Sequence, residues 1–237
     1  MVDELPRIYD HFYDLVTKGT GPANEAVATI GGWLGQPAID LSYLLAARFA
    51  IESSVAHDRV NDTAPPVAFL QRHALELALK RTLASCRSVA WWRSWAKLLE
   101  DDPTCDPPPA PKDPPNKHYL VLLAERLIAE LPAVGFALPA SVLDMARELD
   151  ARDAGGVERF RYLTVNTKSG PQQSFPEKEA LTLGETQVRL EGLWRECFIF
   201  EHRDLKGPAT LTEDLTHAYL GETDHHDKVC RRTGCHG

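Results

Sequence analysis

Long apolar runs are missing from this sequence. The strongest candidate, Ala38 to Ile51, is interrupted by Asp40 and Arg48 and falls short of the ~20 apolar residues a bilayer span needs, so no membrane helix is expected. The first residues, MVDELPRIYDHFYDLV, carry acids early and contain no basic-then-apolar run ending in small residues. They do not read as a secretory signal. Cysteine is sparse: Cys86, Cys105, Cys197, Cys230 and Cys235 form an odd, widely spaced set, which argues against a disulfide frame and suits reduced thiols in the cytoplasm. Positive charge is also short, with 26 Lys and Arg against 34 Asp and Glu and a net charge of -8. That excludes a protein that coats nucleic acid along its whole surface. There is no Walker loop, G-x-G-x-x-G, G-x-S-x-G or H-E-x-x-H and no long internal repeat, so the common nucleotide and hydrolase signatures are absent.

What remains is a chain of 237 residues, 43% hydrophobic and 25% charged, large enough for a well-buried core. Helical periodicity dominates, and the fold class expected is mainly α. Leu5 to Lys18 places Ile8, Phe12, Leu15 and Val16 on one side, and Ala23 to Trp33 continues in short pieces broken by glycines. Ile39 to Arg59 predicts one helix with Leu41, Leu44, Leu45, Phe49 and Val55 as its buried stripe. Pro65 and Pro66 mark the start of the next helix, and Val67 to Leu99 runs without Pro or Gly. Seven prolines between Asp102 and Lys117 then impose an extended connector. Helices follow over His118 to Leu131, Leu138 to Asp150 and Thr186 to Leu205. Between the last two, Arg159 to Val165 alternates like a strand and leads into a turn-rich Asn166 to Gln172, which predicts a short β-hairpin. The polar, His-rich segment from Gly221 onward reads as a frayed tail.

The segment RHALELALK, Arg72 to Lys80, sets His73, Glu76 and Lys80 on one helix face. Its plain reading is a Glu76–Lys80 pair on an amphipathic helix. Yet Arg72, Lys80, Arg81, Arg87, Arg93 and Lys97 meet only one acid, Glu76, so the stretch carries +5 within an acidic chain. A phosphate-bearing partner could dock there. Trp91, Trp92 and Trp95, interleaved with those bases, could stack on nucleic-acid bases or, as tryptophans one helical turn apart commonly do, form a core or dimer interface.

RHALELALK, followed after a linker by the His-led helix NKHYLVLL (Asn116 to Leu123) and later by FRYL (Phe160 to Leu163), resembles the HEPN-type helical domains of prokaryotic defence and toxin–antitoxin systems. Tyr119 replaces the family's acid after the leading His118, and Leu163 replaces a proline. The resemblance covers about Pro66 to Leu205. It implies a HEPN-type helical bundle at 61–205 with a proline-rich loop at 102–117, an N-terminal helical extension at 1–60 and a polar, flexible tail at 206–237. It also implies RNA as partner, which makes Arg72, His73, Lys80, Arg87, Arg93, Lys97 and His118 the candidate RNA-binding set. Many such domains are metal-independent ribonucleases with four to six residues between an Arg and a His, and Arg195 and His202, with six between them, fit the longest spacing. On a helix the two project about 20° apart and roughly 10 Å along the axis, so Arg195 could hold a phosphate while His202 moves the proton. Glu196, beside Arg195, departs from the Asn, Asp or His usual there, and an extra anion beside a phosphate is unhelpful.

In the tail, His225, His226, Cys230 and Cys235 are ligand types zinc prefers, but Cys-x4-Cys is wider than the usual knuckle and little surrounds it. No metal and no cofactor is assigned. Two functions stay open: a defence or toxin–antitoxin component that binds RNA and cleaves it by acid–base chemistry, or a non-catalytic dimerisation or interaction module such as an antitoxin, adaptor or sensor subunit. Either implies a cognate toxin, antitoxin or effector. The apolar circumference of Thr186 to Leu205 further implies a homodimer.

Overall fold

The computed structural model describes residues 39–112, 114, 118–153, 160, 164–167, 170–174, 178–198 and 210–233. The expectations for 1–38 and for His202 lie outside these residues. The described chain is mainly α, a helical bundle with one small hairpin. Its elements are α1 (Ile39–Ala56), α2 (Val60–Asp101), α3 (Leu120–Glu130), a 3-10 turn (Leu131–Val134), α4 (Ala140–Arg152), β1 (Thr164–Thr167), β2 (Gly170–Gln173), α5 (Leu183–Leu193) with a π-helical turn (Trp194–Phe198), and α6 (Leu211–Thr233). Among the described residues no helix is long and apolar enough to cross a membrane.

The 42-residue α2 is the axis of the bundle, and α6, α3 and α5 all pack on it. Leu75, Leu79, Leu83, Cys86 and Val89 put its buried side chains at helical spacing, and α3, which packs on it, buries Leu120, Leu123 and Leu127. It begins two turns before the expected start, with Pro65 and Pro66 inside it. Proline there deprives the carbonyls of Asn61 and Asp62 of their helical bonds. Both residues are exposed, so water replaces what is lost.

The stripe expected on α1 is only half correct. Leu41 and Leu44 are buried, whereas Phe49 and Val55 are exposed, and Ala47 joins Val67, Ala68, Phe160 and Leu183 in a second apolar cluster. Through that cluster α1 belongs to the bundle. The compact unit therefore starts at Asp40, not at the expected boundary after residue 60. The expected hairpin is present: its described strands run antiparallel from Thr164–Gln173 to Thr167–Gly170, the second strand taking in the end of the turn-rich segment, while Arg159 and residues 161–163 of the expected first strand lie outside the described residues. Gly170 takes a φ of +109° that side chains disfavour.

The flexible tail is corrected most. Residues 211–233 form the helix α6, laid along α2. A capping box starts it: Thr210 Oγ1 accepts the Glu213 N–H at 3.2 Å, and Glu213 Oε2 accepts the Thr210 N–H at 2.9 Å. Acids Glu213 and Asp214 open it and Arg231 and Arg232 close it, the order the helix dipole favours. Leu211, Leu215, His226 and Val229 form its buried face. Four apolar or aromatic anchors suffice to order a segment whose other positions are polar.

Candidate functional site

Glu76 sits mid-way along α2 on the face that meets the start of α3. Its side chain is only 2% exposed, a position a carboxylate tolerates only when paired. Oε1 accepts from Lys80 Nζ at 2.8 Å and faces His118 Nδ1 at 2.8 Å. Oε2 accepts from Arg72 Nη1 at 3.3 Å, with His73 Nδ1 at 3.8 Å. Burial works to raise its pKa, but hydrogen bonds from His73, Lys80 and His118 and the Lys80 charge overcome it and bring the pKa down to about 2. The group is a fixed anion.

Because that anion can only accept, it holds the proton of His118 on Nδ1 and leaves Nε2 as the acceptor. The His118 side chain is 48% exposed, so the imidazole reaches the surface. Lys80 beside it supplies a cation. His73 is fixed from the other side, stacked on Phe69 at 5.3 Å and edge-on to Tyr43 of α1 at 4.6 Å. The arrangement offers a carboxylate-oriented imidazole with a neighbouring ammonium, a pairing suited to acid–base work on an anion.

Arg72 does not share that opening. It is buried; Nη2 donates to Asp150 Oδ1 at 3.0 Å and to the His118 carbonyl, and Nε lies 3.1 Å from Asp153 Oδ2. Asp150 Oδ2 in turn accepts the Val121 N–H at 2.9 Å, one of the donors left open at the start of α3. Arg72 thus locks α2, α3 and α4 together beneath the site instead of facing phosphate. Asp150 and Asp153 were not anticipated. Two acids at the end of α4, where the helix dipole disfavours them, were the available signal of a buried cation.

Of the residues expected to bind RNA, the structure gathers His73, Lys80 and His118, with Arg72 behind them. It does not gather the rest. Arg87, about 10 Å further along α2 than Lys80, grips Glu130 with two bonds of 2.7 and 2.6 Å and donates to the Lys112 carbonyl; each partner stabilises the other's charged form. Arg93 pairs with Glu222 at 2.8 Å, and Lys97 is exposed. Arg81, also in the stretch, pairs with buried Asp40 at 2.8 Å. The +5 of the linear sequence is therefore answered by acids from α1, α3, α4 and α6.

Arg195 lies exposed on the π-helical turn, its Nε donating to the Glu191 carbonyl at 3.3 Å. Leu190, Leu193, Trp194, Cys197 and Phe198 are buried within this chain, whereas Val188 on the same helix is exposed. Trp91 donates to the Pro108 carbonyl at 3.0 Å and holds the proline-rich loop. Trp92 and Trp95 pack against His226 of α6, and all three tryptophans are part-buried. Of the tail's ligand types, His225 faces Glu100 and His226 the tryptophans; Cys235 lies outside the described residues. No family model, curated protein or solved structure matches the chain.

Proposed function

We propose that this chain is a HEPN-like component of a prokaryotic defence or toxin–antitoxin system, working in the cytoplasm on RNA through the opening formed by His73, Lys80 and His118. One observation carries the reading: an imidazole 48% exposed, oriented by a buried carboxylate at 2.8 Å, with an ammonium on the same carboxylate. In this reading His118 Nε2 takes the proton of an RNA 2′-hydroxyl as its oxygen bonds phosphorus and the P–O5′ bond breaks, and the imidazolium returns that proton to the leaving 5′-oxygen, which leaves a 2′,3′-cyclic phosphate. Lys80 steadies the charge that develops on phosphate. The test is cleavage of single-stranded RNA by the full chain in EDTA. His118→Ala and Lys80→Ala should each abolish it. Arg195 and His202 are the competing assignment, and loss of cleavage only in Arg195→Ala and His202→Ala would transfer the chemistry there.

A second reading has its own support, because the bases of α2 are largely neutralised within the chain. A non-catalytic module, paired with a copy of itself or with a cognate toxin, antitoxin or effector, needs no open basic face. Absence of RNA binding at low salt together with a dimer mass in light scattering would favour it.

A further inference from the structure

Beyond Arg87 the proline-rich connector and α2 enclose a second cleft. Trp91 and Ser94 of α2 face Pro108, Pro111 and Lys112 across a cavity of about 280 Å³ that is open to solvent. That volume is close to the ~300 Å³ of the smallest ligand pockets and admits one flat ring with its polar attachment. The Trp91 indole is fixed at its edge, because Nε1 donates to the Pro108 carbonyl at 3.0 Å. Its neighbours do not stack on it: Trp92 meets it edge-on at 79° and Trp95 is tilted by 56°. Arg87 Nη1 holds the Lys112 carbonyl at 3.0 Å, while Nε and Nη2 answer the charge of Glu130. The Lys112 side chain is exposed and makes no ion pair among the described residues.

Position ties this cleft to the imidazole site. On α2, Trp91 and Lys80 project about 20° apart and stand roughly 16 Å apart along the axis. No acid occurs on the helix between Glu76 and Glu100, and exposed Ala84 puts only a methyl group on the face between the two sites. We propose that the cleft between Trp91 and Lys112 is a nucleotide subsite, which takes one base of a single-stranded RNA whose backbone continues along α2 to Lys80 and His118. The base lies on the unstacked indole face, against the rings of Pro108 and Pro111, and its phosphate meets the Lys112 ammonium. Stacking accepts every base, so the subsite selects single strands without reading sequence; a duplex keeps its bases on one another and cannot offer one. The inference rests on the RNA reading above and names the form of RNA that the site takes.

The experiment measures binding, so it stands whether or not the chain cuts RNA. Isothermal titration of the full chain compares adenosine monophosphate with a 2′-O-methyl adenosine tetranucleotide, which has no 2′-hydroxyl to attack. The tetranucleotide should bind at least about tenfold tighter, because it occupies both sites at once. Trp91→Leu should weaken both ligands about tenfold. Lys112→Ala, at an exposed position, should weaken both and lower the salt slope of tetranucleotide binding by about 1. Lys80→Ala should weaken the tetranucleotide alone. Should Trp91→Leu fail to fold, Lys112→Ala decides. No mononucleotide binding by the folded wild-type chain, or binding unchanged in Lys112→Ala, overturns the subsite. Mononucleotide binding that His118→Ala abolishes would place the nucleotide at the imidazole instead and overturn it as well. Equal affinity for the two ligands overturns the path along α2.

Discussion

Arg72 and Asp150 stand 78 residues apart in the chain and meet at 3.0 Å, while the other oxygen of the same carboxylate holds the Val121 N–H. One ion pair thus joins the middle of α2 to the end of α4 and the start of α3. The imidazole of His118 is aimed at Glu76 because this junction fixes the backbone that carries it.

Removing the cation should therefore unfold more than a single contact. Arg72→Met leaves Glu76, Asp150 and Asp153 without their shared partner. It should cost about 3–5 kcal/mol, as expected when a buried charge loses its counter-ion. Urea unfolding followed by circular dichroism measures it, and a cost below ~1 kcal/mol would show that the junction is not structural.

Acid should find the same site. The carboxyl of Glu76 titrates at about 2 in the folded chain against an ordinary value of 4.5. A depressed pKa contributes stability that is complete above the unfolded value and lost as pH falls through the folded one. The loss should run from about pH 4.5 down to about 2, on the order of 3 kcal/mol in all. Glu76→Gln should be less stable at pH 7 and flatter across that window in unfolding curves.

Helix α6 should behave as core. A chain ending at residue 220 loses His226 and Val229 and uncovers Trp92 and Trp95. A stability loss of about 2–4 kcal/mol is expected from such truncation of buried packing, with a red shift of tryptophan emission. A frayed tail would leave both unchanged.

Surface pairs should matter little by comparison. Arg93→Ala removes a half-exposed partner of Glu222 and should cost less than about 1 kcal/mol. Arg48 lies against Glu191, which also accepts from Gln187 at 2.9 Å in the interior; Arg48→Ala should cost about 3 kcal/mol or more, because it leaves a buried carboxylate without its counter-ion. Parallel denaturation curves compare the two.

Helix α2, the amphipathic α3 and α4, the proline-rich connector and the hairpin were legible because periodicity, proline and glycine act through neighbours in the chain. The capping box at Thr210 and Glu213 was equally local and would have revealed α6, but a His-rich, charged composition masked four buried positions spaced along 23 residues. The one-face grouping of His73, Glu76 and Lys80 followed from helix geometry alone. Their meeting with His118, 42 residues beyond Glu76, did not, and neither did the burial of Arg72. Charge counted along a chain sums residues that the fold then separates or pairs. Whether a base faces solvent depends on which distant carboxylate packing brings within a few ångströms. Local sequence determined which segments are helices and which residues share a face, whereas tertiary packing decided which charges are spent on one another and which imidazole remains open.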